Sequence, residues 1–495
     1  MDWDTLRYLK DKNVHIVGLS SVEGRAVAEF LLSQGFANLT AHDFKGPEEF
    51  ERSFKHVHVG LSAEERDEAF RRLMSQPIHI HYRETYLEGI LEADAIFVSQ
   101  AWFLYPPNFP RLKEARDKGI PFHTLTELYF DLAPCPIIAV TGTNGKTTTA
   151  NLIAEIMKLT PRRVYMAGND RYSVQVLDKL EEMRPEDVLV LEVSNRQLLG
   201  LARSPHVAVI TNIAPNHLDE HPSFEDYVNT KRALIAHQKP EDFAILNYDN
   251  GFTRKMMSSS LARLFPFSRK EILREGAFVR EGQIILRREG WERTVCALSE
   301  IPLLGEHNLE NVLAATAAAF VAGAEAEKIA GAVRRFQGVK HRLRFVWEMN
   351  GVRYYDDLSS TTPQATLAAL RAIPAPVVLI AGGGDKGLDY MELGRAIAER
   401  ARALVLLPGE GTDKLERAVQ AAGEPPPIRH CHTLEGAVAA AVELAAPGDA
   451  VLLSPACPHF FTMYYLDEGG REIGFRAILR KIAHRNGTQM NADSR

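Results

Sequence analysis

Short runs of branched aliphatic residues recur along the chain, and some are followed by segments in which apolar residues lie three or four positions apart. The run at 137–140 is entirely aliphatic, and the segment after it has its apolar positions at Leu152, Ile153, Ile156 and Leu159. A continuous aliphatic run is typical of a strand buried on both faces of a parallel sheet, and the wider spacing is typical of a helix with one buried face. The pattern predicts an α/β protein with parallel sheets.

A glycine loop joins this predicted strand to this predicted helix, with the residues Gly142, Thr143, Asn144, Gly145, Lys146, Thr147 and Thr148. At the start of a helix, free backbone N–H groups and the helix dipole can hold phosphate oxygens. Lys146 can then meet the terminal phosphates, and the Thr147 hydroxyl can bind Mg²⁺. An ordinary strand-to-helix turn is the alternative, because the first glycine lies closer to the lysine than in the common phosphate loop. The strand before the loop and the helix after it favour a nucleoside triphosphate site.

Two more polar side chains lie where predicted strands end. Glu192 ends the run at 187–192, and His217 follows the run at 207–212. The carboxyl ends of parallel strands open onto one crevice, so both side chains could meet the same metal–nucleotide complex as Thr147. The alternatives are a helix cap for the carboxylate and a structural role for the histidine.

The N-terminal segment has the order of elements of a Rossmann-like unit. It predicts a strand at 14–19, a helix at 25–33 and a second strand that ends at Asp43. An acidic residue at this position commonly contacts a ribose or a base. The glycines lack the spacing of the dinucleotide fingerprint, so we predict no dinucleotide. A further strand ends at Ser99, and the loop after it either faces a ligand or is a surface loop stiffened by prolines.

Composition limits the class of protein and its partners. The chain has 495 residues, enough for about three domains, of which 45% are hydrophobic and 25% charged. The net charge of −6 gives no reason to expect a nucleic-acid or membrane-surface partner. The four cysteines form no Cys-x-x-Cys pair, which fits a reducing cytoplasm. Without a secretory signal, a membrane-spanning run or a heptad seam, we expect a soluble cytoplasmic monomer.

Several segments resemble, in the same order, the signatures of the Mur ligases of peptidoglycan synthesis and of the related folylpolyglutamate synthases. They are 141–147, 192–198, 211–219 with Tyr227 and Lys231, 305–311, and 341–342. The resemblance implies ATP and Mg²⁺ as cofactors, with nucleotide contacts from Asn308, Asn311 and Arg342. It implies that Lys231 is carbamylated, which would turn a cation into an anionic oxygen ligand. A lysine on a helix surface is the alternative.

The same resemblance implies the residues of catalysis and metal binding. Lys146, Glu192, His217 and Lys231 are the expected catalytic residues. Thr147, Glu192, His217 and Lys231 are the expected Mg²⁺ ligands. The implied fold has three domains: a Rossmann-like domain at 1–134 for a UDP-linked substrate, a central P-loop ATPase domain with a parallel sheet at 135–340, and a Rossmann-like amino-acid domain at 341–495.

Segments 355–357, 381–389 and 452–457 resemble the glutamate-adding branch of the family. This branch implies ATP-dependent joining of D-glutamate to UDP-N-acetylmuramoyl-L-alanine through an acyl phosphate. Asp43 would then lie near the uracil, and Lys386 and Thr361 would hold the glutamate carboxylates. Asp357 is expected at the nucleotide, and Ser99, Asn169 and His459 are expected at the substrates.

The chain departs from the family pattern close to the expected substrates. Ser359 stands where a lysine is usual, and Pro458-His459 stands where Ala-Ser is usual. Asn195-Arg196, 168–171 and 99–101 also differ. These departures leave L-glutamate open as the acceptor. A folylpolyglutamate-type ligase and an inactive nucleotide-binding module are further alternatives, although residues 1–134 argue against the first and the retained site residues against the second.

Overall fold

The computed structural model describes residues 1–58, 61–99, 102–168, 174–216, 220–466 and 473–485. They form two compact units, one made of 1–300 with 310–335 and the other made of 301–309 with the chain from 336 onward. Among the helices in these ranges, none is long and apolar enough to cross a bilayer. The sheets contain mainly parallel strands with helices between them, so the predicted α/β class is confirmed.

The first unit begins with a five-stranded parallel sheet of strand order β3-β2-β1-β4-β5. Its strands are β1 (Val14–Val17), β2 (Leu39–His42), β3 (Ile78–His81), β4 (Ala95–Phe97) and β5 (Phe122–His123). Its helices are α1 (Trp3–Tyr8), α2 (Val22–Ser33), α3 (Pro47–Val57), α4 (Ala63–Met74), α5 (Arg111–Asp117) and α6 (Leu125–Leu132). The helix predicted at 25–33 starts earlier, at Val22, because the Ser21 hydroxyl accepts the Gly24 N–H at 2.9 Å and caps an extra turn.

A six-stranded parallel sheet follows in the same unit, with strand order β11-β10-β9-β6-β8-β7. Its strands are β6 (Ile137–Thr141), β7 (Val164–Ala167), β8 (Val188–Glu192), β9 (Val207–Ile210), β10 (Phe243–Leu246) and β11 (Arg263–Leu264). Its helices are α7 (Lys146–Met157), α8 (Asn195–Leu198), α9 (Phe224–Ala236) and α10 (Gly251–Met256). Because β6 lies between β8 and β9, the loop after β6 emerges among the ends of three neighbouring strands.

A small sheet that the sequence analysis did not predict follows β11. It contains β12 (Phe267–Ser268), β13 (Gly276–Arg280), β14 (Gln283–Arg288) and β15 (Trp291–Ala297). Two-residue loops of positive φ, Glu281-Gly282 and Glu289-Gly290, join its antiparallel strands. A glycine as the second residue of a two-residue loop is a hairpin signal, so the sequence did contain the clue. Helices α11 (Glu306–Val321), which continues from one unit into the other, and α12 (Ala326–Arg335) come next.

One apolar core runs through the two parallel sheets of the first unit. It includes Phe30 of α2, Phe97 of the first sheet, and Leu189 and Ile210 of the second, each at most 1% exposed. Helix α7 ends at Met157, so Leu159 lies beyond it and is 37% exposed, contrary to the predicted buried face.

The second unit is built on a sheet of strand order β16-β17-β21-β18-β19-β20, in which only β16 and β17 are antiparallel. Its strands are β16 (Arg344–Met349), β17 (Val352–Asp356), β18 (Val377–Gly382), β19 (Ala401–Leu407), β20 (Ile428–His430) and β21 (Ala450–Ala456). Its further helices are α13 (Pro363–Ala372), α14 (Met391–Arg400), α15 (Glu410–Gln420), α16 (Leu434–Leu444) and α17 (Phe475–Arg485).

Candidate active site

The loop between β6 and α7 has the shape of a phosphate-binding turn. Gly142 and Gly145 adopt φ values of 148° and 84°, and Lys146 is the first residue of the helix. The Lys146 ammonium lies over the loop, where it donates to the carbonyl oxygens of Gly142 and Thr143, both at 3.1 Å. The loop therefore places a cation and the N-terminal amides of a twelve-residue helix at one point.

Residues after β9 hold this loop in place. The Asn212 carbonyl accepts the Thr143 N–H at 2.8 Å, and the Asn212 side chain accepts the Asn144 N–H at 3.0 Å. The Thr211 hydroxyl donates to the Asn144 carbonyl at 2.6 Å. Thr143 turns its own hydroxyl inward, within 3.0 Å of the Tyr227 hydroxyl. The loop is thus fixed before any ligand binds, and Thr143 contributes to its structure through its side chain.

Both glycines are required by close neighbours. A Cβ atom on Gly142 would lie 1.9 Å from the Thr211 Oγ1 atom, and one on Gly145 would lie 2.0 Å from the Asn311 Oδ1 atom. Neither distance is possible for a real side chain, and both φ values also favour glycine. Asn311 is 4% exposed and belongs to α11 within the first unit, so this predicted nucleotide-binding residue does lie against the loop.

Two oxygen donors lie beside the loop. Glu192 is the last residue of β8 and pairs with Val140 of β6 in the sheet, so it stands next to the start of the loop. Glu192 is 6% exposed and Thr147 is 3% exposed. A carboxylate and a hydroxyl are hard oxygen donors of the kind that Mg²⁺ prefers. The predicted ligand His217 lies outside the described residues.

Lys231 is almost fully enclosed in the protein. It lies on α9 and is 1% exposed, with its Nζ atom 3.5 Å from the Thr141 hydroxyl and 4.9 Å from the centre of the Tyr227 ring. Burial and, to a smaller extent, the Lys146 charge hold the pKa of Lys231 well below its usual value. The alternative of a surface lysine is wrong, because α9 turns this side chain toward the end of β6.

A cavity of about 560 Å³ extends from the N-terminal sheet to the phosphate loop. Asp43 and Lys45 line one part of it, and Lys146, Asn195 and Arg196 line another. Both parts belong to the first unit. A volume of this size is typical of a small-molecule site.

The N-terminal wall of this cavity brings together residues of both sheets. Asp43 accepts the backbone N–H of Ser20 at 3.0 Å and that of Lys45 at 3.2 Å, which fixes the turn after β1 against the end of β2. Glu23 accepts the Gln197 amide at 2.9 Å and is also hydrogen-bonded to Ser99, and its burial raises its pKa. Ser99, predicted at the substrate, therefore reaches the cavity while its hydroxyl is engaged with Glu23.

Sequence reasoning missed several cavity residues, among them Lys45, Glu23 and Gln197. Lys45 follows Asp43 by two positions and donates to the Ser20 hydroxyl at 3.1 Å. Its closeness to Asp43 was a usable signal, because residues that follow a strand end often share its crevice. Glu23 and Gln197 lie 174 positions apart, and no local pattern predicts that they meet.

In the second unit, two carboxylates hold the turn that carries Arg342. Asp356 accepts a hydrogen bond from the His341 ring at 2.7 Å, and Asp357 accepts the Leu343 N–H at 2.9 Å. His341 and Leu343 both have positive φ, 64° and 43°, so this turn is strained on either side of Arg342. The second oxygen of Asp357 accepts the Ser454 hydroxyl at 2.8 Å, and burial raises the pKa of Asp357 to about 7.

The other predicted residues of the second unit are spread over several loops. Lys386 is exposed on the loop after β18, and His459 is exposed after β21 with φ at 65°. Thr361 is half-buried just before α13. Asn308 is 5% exposed, and its amide donates to the Leu304 carbonyl at 2.8 Å. Asn169, like His217, lies outside the described residues.

Comparisons with known proteins identify the family of the chain. The family model of the Mur ligase middle domain matches residues 140–319, and that of the Mur ligase glutamate ligase domain matches residues 341–457. The UDP-N-acetylmuramoylalanine–D-glutamate ligase of Symbiobacterium thermophilum is 40% identical over 85% of this chain and 91% of that protein. The enzyme of the same name from Acetivibrio thermocellus is 36% identical over 97% of this chain and 98% of that protein.

A solved structure supports the fold independently. The UDP-N-acetylmuramate–alanine ligase of Thermotoga maritima superposes with a TM-score of 0.60 over 96% of this chain and 100% of that one, at 16% identity. At this identity the likeness concerns the fold alone. The family follows from the full-length relatives: the chain belongs to the Mur ligases, a family of ATP-dependent ligases, within the UDP-N-acetylmuramoylalanine–D-glutamate ligases.

Proposed function

We propose that the protein joins D-glutamate to UDP-N-acetylmuramoyl-L-alanine at the expense of ATP, in the cytoplasmic synthesis of peptidoglycan precursors. The observation that carries the proposal is the cavity that runs from Asp43 and Lys45 to Lys146. It offers one continuous path between a place for a nucleotide-linked sugar and a phosphate-binding lysine. The identity of the substrate is inferred from the names of the relatives in Symbiobacterium and Acetivibrio, which align with most of this chain.

In the proposed reaction the substrate carboxylate attacks the γ-phosphorus of ATP, and ADP leaves. The amine of D-glutamate then attacks the resulting acyl phosphate, losing a proton, and inorganic phosphate leaves. Phosphoryl transfer needs alignment and charge neutralisation more than covalent help from the protein. Lys146 and the N-terminal amides of α7 supply fixed positive charge at the loop, and the hydrogen bonds that Asn144 makes with Thr211 and Asn212 keep the loop in position.

The donor set fits Mg²⁺, which supplies further charge neutralisation at the phosphates when bound. Thr147 and Glu192 offer hard oxygens, and His217 and a carbamylated Lys231 would complete the protein's share of the ligands. Lys231 as an ammonium would repel a cation. With its pKa lowered by burial, its amine is available in the neutral form, which adds to CO₂ and releases a proton to give a carbamate.

This modification can be tested directly. Protein equilibrated with ¹³C-bicarbonate is expected to give a carbamate carbon signal that disappears in Lys231→Arg and persists in Lys158→Arg. Lys158 is an exposed lysine at the end of α7 and serves as the matched control. An unchanged spectrum in Lys231→Arg would contradict the assignment.

The amino-acid substrate is proposed to bind at the second unit. Lys386, Thr361 and His459 would meet the glutamate, because a fixed ammonium and a hydroxyl suit an anionic amino acid. Arg342, Asn308 and Asn311 would contact the nucleotide, and Asp357 would act by shaping the Arg342 turn, since hydrogen bonds within the unit already engage both of its oxygens. Because the proposed contacts to ATP and to glutamate come from both units, we also propose that the two units close during the reaction.

The deciding experiment is phosphate release from ATP and Mg²⁺ with UDP-N-acetylmuramoyl-L-alanine, compared for D-glutamate, L-glutamate and no amino acid. Release that requires D-glutamate is the expected result. Release with L-glutamate instead would leave the mechanism unchanged, and the departures from the family pattern at Ser359 and His459 would then explain the preference for the L-enantiomer. No release with either amino acid would refute the proposal. Sedimentation of the same sample would test the expected monomer.

A further inference from the structure

Asn195 occupies a special place in the wall of the cavity. It is the first residue of α8, three positions after Glu192, and it lines the cavity together with Lys146. Since Glu192 lies beside the start of the phosphate loop, we assign Asn195 to the part of the cavity that Lys146 lines, where the proposed reaction would take place. The side chain is 5% exposed, so the protein fixes its position.

A chain of hydrogen bonds sets which way this amide faces. His221 places its Nδ1 atom 2.7 Å from a carboxylate oxygen of Asp226, and its Nε2 atom 3.1 Å from the Asn195 Nδ2 atom. An ionised carboxylate can only accept, so His221 carries a proton on Nδ1, and in the neutral imidazole its Nε2 atom is then the acceptor. Asn195 therefore donates through Nδ2 to His221, which fixes the opposite orientation of its carbonyl oxygen.

The carbonyl oxygen of Asn195 remains available to a ligand. No residue in the described part of the chain donates to this atom, and Asn195 is one of the residues that line the cavity. Asn195 thus offers an oriented hydrogen-bond acceptor in the cavity that Lys146 also lines. His221 is buried, and its ring also packs edge-on against Tyr227 at 5.3 Å between centroids, which restrains the whole chain.

An acceptor at this point selects for a particular chemical group. The reacting carboxylate must lie near Lys146, and in an N-acylated amino acid the donor closest to that carboxylate is its own amide N–H. We propose that the Asn195 carbonyl oxygen accepts this amide N–H of the substrate, and that His221 and Asp226 are positioning residues that keep the oxygen facing it. The inference rests on the proposed function and adds the residue that recognises the acyl amino acid.

Comparison of an amide with an ester substrate tests this contact. The probe is the same nucleotide sugar carrying L-lactate in ester linkage in place of L-alanine, which lacks the N–H and changes little else. Wild type is expected to favour the amide by about tenfold or more in kcat/KM, as for a lost hydrogen bond that leaves a buried acceptor unpaired. Asn195→Ala is expected to lose about tenfold on the amide and less than about twofold on the ester, with the KM for ATP unchanged.

Further variants separate recognition from folding. Asn195→Asp keeps the shape of the side chain but puts a charge near the reacting carboxylate, so it should fold and fail on both substrates. His221→Ala should raise the KM for the amide, and His221→Gln, which keeps an acceptor close to the Nε2 position, should restore part of it. Asn229→Ala, the same substitution at an exposed position of α9, is the matched control.

The outcomes distinguish this inference from the proposed function. If wild type releases no phosphate with the amide substrate and D-glutamate, the proposed function fails first. If wild type is active but Asn195→Ala loses equally on amide and ester, the amide contact is refuted and a water-bridged or structural role remains. Equal activity of His221→Ala and wild type would refute the positioning role.

Discussion

Two loops in this chain combine glycines with a lysine after a buried parallel strand, yet they are built differently. After β6, only four residues separate Thr141 from Lys146, which is itself the first residue of α7. After β18, Lys386 is exposed, and α14 does not begin until Met391. The first loop therefore places its lysine at a helix N-terminus, and the second does not.

The glycines of the two loops also have different structural roles. Gly145 makes room for the buried Asn311 amide beside the ligand site. Gly382 and Gly383 instead let neighbouring backbones approach, because a Cβ atom on them would lie 2.3 Å from the Leu407 carbonyl and 2.7 Å from the Pro458 carbonyl. A glycine–lysine string alone thus identifies no phosphate site. The position of the helix start does, and the two loops should respond differently to substitution.

The largest expected effect is that of Lys146→Ala. Removing this cation from the phosphate loop should lower phosphate release by about 10²–10³-fold or more, as for loss of a main group that stabilises the transition state. The thermal unfolding temperature should change little, because the hydrogen bonds of the lysine to the Gly142 and Thr143 carbonyls stay within its own loop. Lys158→Ala, at the other end of α7, is the control. An unfolded Lys146→Ala protein would mean that the residue is structural.

Gly145→Ala should come next, with about 10²-fold loss of activity and a raised KM for ATP. The new methyl group would overlap Asn311, and φ at 84° adds strain of about 1–2 kcal/mol. Gly387→Ala is the matched substitution in the second loop, where φ is 70° but no atom lies within 4 Å of the new Cβ. This substitution should lower the thermal unfolding temperature through backbone strain alone and leave the KM for ATP unchanged. Similar effects of the two substitutions would remove the distinction between the loops.

Lys386→Ala should raise the KM for glutamate by about 10–100-fold, the range for a lost charged hydrogen bond, with the KM for ATP within about twofold of wild type. Initial rates at varied glutamate measure the change. Lys481→Ala, at an exposed lysine of α17, is the control. An unaltered dependence of the rate on glutamate would contradict the proposed role of this second loop. A raised KM for ATP would indicate that Lys386 contacts the nucleotide instead.

The first loop was the easier of the two to predict because its signals are local. The aliphatic run, the glycines and the helical spacing all lie within 137–157. Glu192 was predicted from a second aliphatic run, because it is the carboxylate that ends β8. What the sequence could not supply are contacts between distant residues. Thr211 holds Asn144 from 67 positions away, and the burial of Lys231 depends on α9 packing beside β6. Periodicity predicts which face of an element is buried, but not which partner covers it.

The smallest expected effect on activity is that of Asp357→Asn, which tests how the second unit keeps its shape. Burial raises the pKa of Asp357 from 3.8 to about 7, so the folded protein holds a proton that the unfolded chain releases at lower pH. Its stabilising contribution is complete below pH 4 and is lost as the pH rises to about 7, by up to about 4 kcal/mol. Asparagine mimics the protonated form, so the variant should match wild type near pH 4 and be the more stable protein at pH 8 in urea unfolding.

Asp385→Asn is the control, because a hydrogen bond from Lys414 lowers the pKa of that carboxyl and its ionised form is already favoured. A difference between Asp357→Asn and wild type that does not change with pH would mean that Asp357 is ionised in the folded protein throughout this range.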